Sequence, residues 1–155
     1  MSDIEIASTG FGPIDEEHRA ICAALRDALA AMRAGDAPAL AARLQRVHRE
    51  LAAHFAHEEL LMAEYGFPKR ARHKDAHDTY LADTAGKIRV LQRDGLTADL
   101  RRWVTGRLFE WARFHISAND VELGRFLRDR VVGEAVPPAA ALDAMLELIV
   151  IVEAP

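Results

Sequence analysis

Apolar residues recur along most of this chain at spacings of three and four, the period of an α-helix. No strand-like alternation runs through its body. Four such stripes stand out. The first carries Ile14, Ile21, Leu25, Leu29 and Met32. The second carries Leu40, Leu44, Val47, Leu51, Phe55, Leu61, Met62 and Tyr65, close to a heptad. The third has Tyr80, Leu81, Ile88 and Leu91, and the fourth Leu100, Val104, Leu108, Trp111 and Ile116. Breakers separate them. Gly10, Gly12 and Pro13 lead into a helix predicted from about Ile14 to Ala34. Gly35-Asp36 ends it, and Pro38 suits the first turn of a second helix reaching about Tyr65. Gly66-Phe67-Pro68 makes a sharp break before a third helix, from about Lys69 to Arg93. Asp94-Gly95 stops that one. Thr97 can cap a fourth, which continues at least to Ser117. Helices of about 20 to 28 residues are roughly 30–40 Å long. Joined by short loops, they favour an all-α, up-down-up-down antiparallel four-helix bundle.

The last segment breaks the pattern. After Val136-Pro137-Pro138 comes a short apolar run that ends β-branched. The bundle is expected over residues 1–130, with 131–155 as a C-terminal extension packed on it. A self-association or partner-docking contact is the alternative use of that extension.

Composition then narrows the function. The chain has 155 residues, half of them hydrophobic, enough for one domain with a real core. One Cys excludes an internal disulfide framework and a Cys-based zinc ribbon. A net charge of −4 gives no basic footprint for nucleic acid. No apolar run reaches the ~18 residues that would suggest a membrane span. No signal peptide is evident at MSDIEIASTG, so a cytoplasmic location is expected.

Seven histidines are present, and their placement is the informative feature. The second helix carries His54 and Glu58, spaced i, i+4, and the third carries His73 and His77 at the same spacing. Such pairs project from one face, about 5–6 Å apart at Cβ. His18 shares the stripe of Ile14, Ile21 and Leu25, and His115 lies one turn beyond Trp111. An unpaired imidazole on a core-facing stripe is costly. Asp120 falls five residues after His115, about 140° around an ideal helix. Both can face inward only if the helix widens into a π-type turn or ends there. Five imidazoles and two carboxylates suit Fe, Mn or Zn better than Ca or Mg. Seven ligands are too many for one tetrahedral zinc and suit a dinuclear centre. His48 sits about 120° off the face of His54, which favours the surface. His57 reads as a surface or outer-shell residue. Glu59 reads as solvated. Cys22, one turn after His18, reads as a small hydrophobe on the same face.

Four local motifs carry a resemblance: IDEEH at 14–18, HFAHEELLMAEYGFP at 54–68, HKDAH at 73–77 and WARFHISAND at 111–120. In order and spacing they are similar to the ligand motifs of the hemerythrins, specifically the single-domain bacterial type, over residues 14 to about 127. The resemblance implies two iron ions with an oxo or hydroxo bridge. His73, His77 and His115 would bind one iron and His18 and His54 the other, with Glu58 and Asp120 bridging. It also implies dioxygen as the partner, bound reversibly at the open position of the two-histidine iron, and no catalytic residues. Phe55, Trp111, Ala112 and Ile116 would wall the dioxygen pocket. Ala112 stands where the family usually has a bulky Leu, so faster autoxidation is expected. The N-terminal lead also lacks the Trp common in the family. The rival readings are a hemerythrin-fold enzyme handling peroxide or nitric oxide, and an oxygen or redox sensor acting through a partner. A ferritin-like oxidase is disfavoured, because no Glu in the chain has a His three residues later.

Overall fold

The structure is a computed structural model, and it describes residues 6–131. Among these residues there is no strand. Helix α1 spans Gly12–Ala34, α2 spans Ala37–Glu64 and α3 spans Arg70–Asp94. The fourth rod, α4, runs continuously over 98–128. These four form the expected helical bundle, with α2 packed between α1 and α3. None of the described helices is long and apolar enough to cross a membrane. The expected extension falls almost wholly on residues outside those described. Val131, its first residue, packs against the apolar cluster around Phe11 and Leu127.

The predicted punctuation is present in atomic form. Gly35 adopts φ 72°, a left-handed conformation that suits glycine, and its N–H satisfies carbonyls at the end of α1. The Asp36 side chain then accepts from the Ala39 N–H at 2.9 Å and starts α2. Thr97 Oγ1 accepts from the Leu100 N–H at 3.1 Å and starts α4. Ahead of α1, the Asp15 carboxylate gathers the Thr9 N–H at 2.8 Å, the Ser8 hydroxyl at 2.6 Å and the Gly10 N–H at 3.2 Å. This knot seats Thr9, fully buried, against Gly124 of α4. A Cβ on Gly124 would lie 2.6 Å from the Thr9 carbonyl oxygen, so only glycine permits the approach.

Two features of α4 matter. It does not stop near Ser117; it widens into a π-helical turn over Ile116–Asp120 and resumes as Val121–Arg128. A second π-helical turn, Trp103–Arg107, has no signal in the sequence pattern.

The apolar core comes in two parts. The larger holds Leu25, Leu44, Leu51, Phe55, Tyr80 and Leu108 with their neighbours. The smaller holds Phe11, Ile14, Leu61, Met62, Phe67, Leu123 and Leu127. The histidine and carboxylate positions fall between them on three helices. His18 lies between Ile14 and Ile21, His54 to Glu58 between Leu51 and Leu61, and His115 to Asp120 between Ala112 and Leu123. A polar layer thus crosses the bundle between two apolar ones.

Candidate metal centre

Each helix contributes to this layer. His18 comes from α1, His54 and Glu58 from α2, His73 and His77 from α3, and His115 and Asp120 from α4. All seven are buried; Glu58, His77 and Asp120 are 0% exposed. In a π-turn, residues five apart come onto one face. Accordingly Asp120 Oδ1 lies 3.1 Å from His115 Nε2.

The ligand-capable atoms form two groups that share both carboxylates. Glu58, His73, His77, His115 and Asp120 make one; His18, His54, Glu58 and Asp120 make the other. Within each group the atoms lie within 4.8 Å of one another. In the first, His115 Nε2 is 3.1 Å from both His73 Nε2 and His77 Nε2. Glu58 Oε2 is 3.1 Å from His77 Nε2 and 3.3 Å from His73 Nε2. In the second, His18 Nε2 is 3.2 Å from His54 Nε2 and 3.1 Å from Asp120 Oδ2. Asp120 therefore turns Oδ2 to one group and Oδ1 to the other.

The outer faces of the rings explain why Nε2 points inward. His54 Nδ1 donates to Glu17 Oε2 at 2.8 Å, and His77 Nδ1 to Glu59 Oε1 at 3.2 Å. A neutral imidazole that gives its Nδ1 proton to a carboxylate keeps its lone pair at Nε2. The Asn119 amide reaches His115 Nδ1 at 2.9 Å. A half-turn of that amide presents its oxygen to an Nδ1–H. His57 is buried but not among the convergent groups; its Nδ1 donates to Glu17 Oε1 at 2.6 Å. Glu59 is not simply solvated, as its sequence position suggested, because α3 brings His77 to it across the helix pair. His48 is half-buried, and its Nδ1 has no hydrogen-bond partner.

Charge is concentrated here. Burial and Asp120 push the Glu58 carboxyl up, but His54, His73 and His77 outweigh them and bring it down to about 2. Burial opposes ionisation of Asp120 too, yet the close His115, His18 and His73 rings hold it well below the usual carboxylate range. Burial disfavours charge on His54, but Glu58, Glu17 and Asp120 outweigh it and raise the ring to about 9. His73 likewise reaches about 9, burial being overcome by Asp120 and Glu58. His77 moves the other way: burial dominates, and the neighbouring His73 and His115 add to it.

The donor set fits a metal pair better than a closed hydrogen-bond network. Both oxygens of Glu58, Asp120 Oδ1 and His18 Nδ1 are buried without a hydrogen-bond partner. Orphaned carboxylate oxygens at the middle of a fold are costly. Imidazole nitrogens that converge to 3.1 Å of one another can all turn a lone pair to a cation placed between them.

Aromatic rings line the three-histidine side. Phe55 stacks on His77, with centroids 3.9 Å apart and planes 6° apart. Trp111 stacks on His115 at 4.4 Å and 10°. Ala112 and Ile116 are each 4% exposed and lie beside His115 in sequence. A cleft of about 120 Å³ opens beside His73, lined also by Phe67, Lys69, Arg72 and Asn119 among others.

Fold and site together define a class: a helical bundle enclosing a buried histidine–carboxylate metal site. The sequence model of the hemerythrin HHE cation binding domain matches residues 9–127. A bacteriohemerythrin of Stenotrophomonas maltophilia (strain R551-3) is 30% identical over 112 residues, which cover 72% of this chain and 71% of the relative. The chain belongs to the hemerythrin family.

Sequence reasoning named all seven convergent residues but missed Glu17 and Asn119. Asn119 had a signal, its i, i+4 spacing from His115. Glu17 had none, since it meets His54 and His57 only where α1 packs on α2.

Proposed function

We propose that the protein binds dioxygen reversibly at a di-iron centre, as a store, carrier or reporter of oxygen rather than an enzyme. The observation that carries this reading is the pair of ligand groups sharing Glu58 and Asp120. Two shared carboxylates suit two cations held side by side, and three histidines against two leave the ions inequivalent. In this reading His73, His77 and His115 hold one iron, His18 and His54 the other, and Glu58 and Asp120 bridge. An iron pair, when bound, supplies the two electrons that reversible dioxygen binding needs.

The chain's own residues account for reversibility. Phe55, Trp111, Ala112 and Ile116 keep water from the pocket. Glu17 and Glu59 fix the tautomers of His54 and His77, so their Nε2 atoms need no rearrangement to bind metal. Burial pushes the Cys22 thiol up, against the opposing pull of Arg26, so it stays a thiol and a poor nucleophile. Among the described residues, no buried acid–base pair other than the ligands and their partners stands ready to process a bound molecule.

The test is optical. The iron-loaded protein is reduced anaerobically and then exposed to air. A visible charge-transfer band that appears and reverses on removing oxygen, at two irons per chain, is expected. Irreversible bleaching with rapid peroxide turnover would favour the peroxidase reading instead. A single zinc per chain would defeat both.

A further inference from the structure

The three-histidine side carries two stacked rings of different chemistry. Phe55 lies flat on His77, and a phenyl ring resists oxidation. Trp111 lies flat on His115, and an indole gives up an electron far more readily. Tyr80 continues that second column, its ring 3.6 Å from Trp111 and only 5° out of parallel. Tyr80, Trp111 and His115 therefore form one face-to-face stack that ends on a candidate metal ligand.

The surroundings decide where along this stack an oxidation can rest. An oxidised phenol must shed its proton. The Tyr80 hydroxyl is buried and donates to the Leu108 carbonyl oxygen at 2.7 Å, an acceptor that cannot keep a proton. Trp111 is only half-buried. A ring that is not fully buried can lose its proton to water, as the buried Tyr80 hydroxyl cannot. Trp103 is the internal contrast: it is 2% exposed and donates its N–H to Asp83 Oδ2 at 2.8 Å.

We propose that Trp111 is the point at which oxidising equivalents leave the metal centre, so that its indole, rather than a ligand histidine, takes the damage. The inference rests on the di-iron reading above. The oxidant is hydrogen peroxide, the product of oxygen leaving such a centre after taking up two electrons and two protons. The indole of Trp111 passes one electron through the stacked His115 ring and releases its N–H proton to solvent. A second electron follows, water adds its hydroxyl to a ring carbon and gives up one proton, and the hydrogen of that carbon leaves as a proton while one returns to the ring nitrogen. Indole and water together thus lose two electrons and two protons and give hydroxytryptophan. Hydrogen peroxide takes up two electrons and two protons and becomes two waters. In sum, one tryptophan and one peroxide give one hydroxytryptophan and one water.

The experiment reads the protein itself. The full chain is loaded with iron, its metal content is measured, and it is treated with hydrogen peroxide. Trypsin then separates the two tryptophans into the peptides 103–107 and 108–113, which mass spectrometry compares. The expected result is gain of one oxygen on the Trp111 peptide, little on the Trp103 peptide, and neither in protein loaded with redox-inert zinc. Tyr80→Phe should keep the oxygen on Trp111. Trp111→Phe should shift oxidation to His115. Equal oxidation of both tryptophans, equal oxidation in the zinc form, or oxidation of His115 in the unaltered chain would overturn the proposal. Failure to take up two irons would overturn it together with the di-iron reading. Two irons without oxidation at Trp111 would overturn it alone.

Discussion

Asp120 Oδ1 lies 3.1 Å from Nε2 of His115, five residues earlier on the same helix. A regular α-helix would turn the two apart. The π-turn over Ile116–Asp120 brings them together and lets the carboxylate face both ligand groups. Asp120→Asn keeps the shape and loses the charge and one acceptor. Metal uptake should fall by more than the about 10–100-fold typical of a lost outer-shell partner. Under the di-iron reading, iron per chain measured after dialysis should drop below two, and an unchanged content would argue against Asp120 as a ligand.

Glu17 binds the Nδ1 atoms of His54 and His57 with its two oxygens. Glu17→Gln offers one acceptor and one donor, so one of the two rings must change tautomer. Metal affinity on the two-histidine side should weaken about 10–100-fold. Competition with a chelator reads this directly. Full retention of affinity would mean that Glu17 does not position His54.

The metal-free protein should depend on pH in a defined way. His54 and His73, both raised to about 9, stabilise the fold fully below their ordinary value of 6.5 and cease to as pH rises through 9. Glu58, lowered to about 2, contributes fully above its ordinary 4.5 and loses that contribution as pH falls toward 2. The metal-free form should therefore lose stability below 4.5 and above 6.5, while His77, lowered by burial, opposes the gain as pH falls below 6.5. At pH 7 metal must displace the protons of those two histidines, so uptake should release about two protons and tighten as pH approaches 9. Calorimetry in buffers of different ionisation enthalpy measures the release. Uptake with no proton release would contradict this charge arrangement.

Gly124 faces the backbone of Thr9, and a Cβ there would lie 2.6 Å from its carbonyl oxygen. The Arg128 guanidinium donates to the same oxygen. Gly124→Ala should lower stability by about 1–3 kcal/mol through overpacking, against a gain in helix propensity of up to about 1. Urea unfolding of the metal-free form tests it. A raised midpoint would show that the N-terminal segment does not pack there as described.

Ala112 is buried one turn before Ile116 and three residues before His115. Under the dioxygen-binding reading, Ala112→Leu adds bulk beside the pocket and should slow autoxidation, by reducing access of water and small anions. Comparable autoxidation half-lives for the two proteins would show that this position does not control entry.

The helical period and its breakers determined the four helices, because propensity, capping and amphipathic spacing act within a few residues. Recurrence at i, i+4 on the inward stripes determined His54, Glu58, His73 and His77, and position on those stripes pointed to His18 and His115, for the same local reason. The offset between His115 and Asp120 even demanded a widened or terminated helix. Only the tertiary structure decided which, because continuation to Arg128 depends on Leu123 and Leu127 reaching the smaller apolar cluster. It also decided the partners that fix the rings. Glu17 with His54, Glu59 with His77, and Trp111 between Tyr80 and His115 are contacts between helices or along packed faces. Such contacts depend on interhelical rotation and separation, which the whole core sets and no short stretch of sequence encodes.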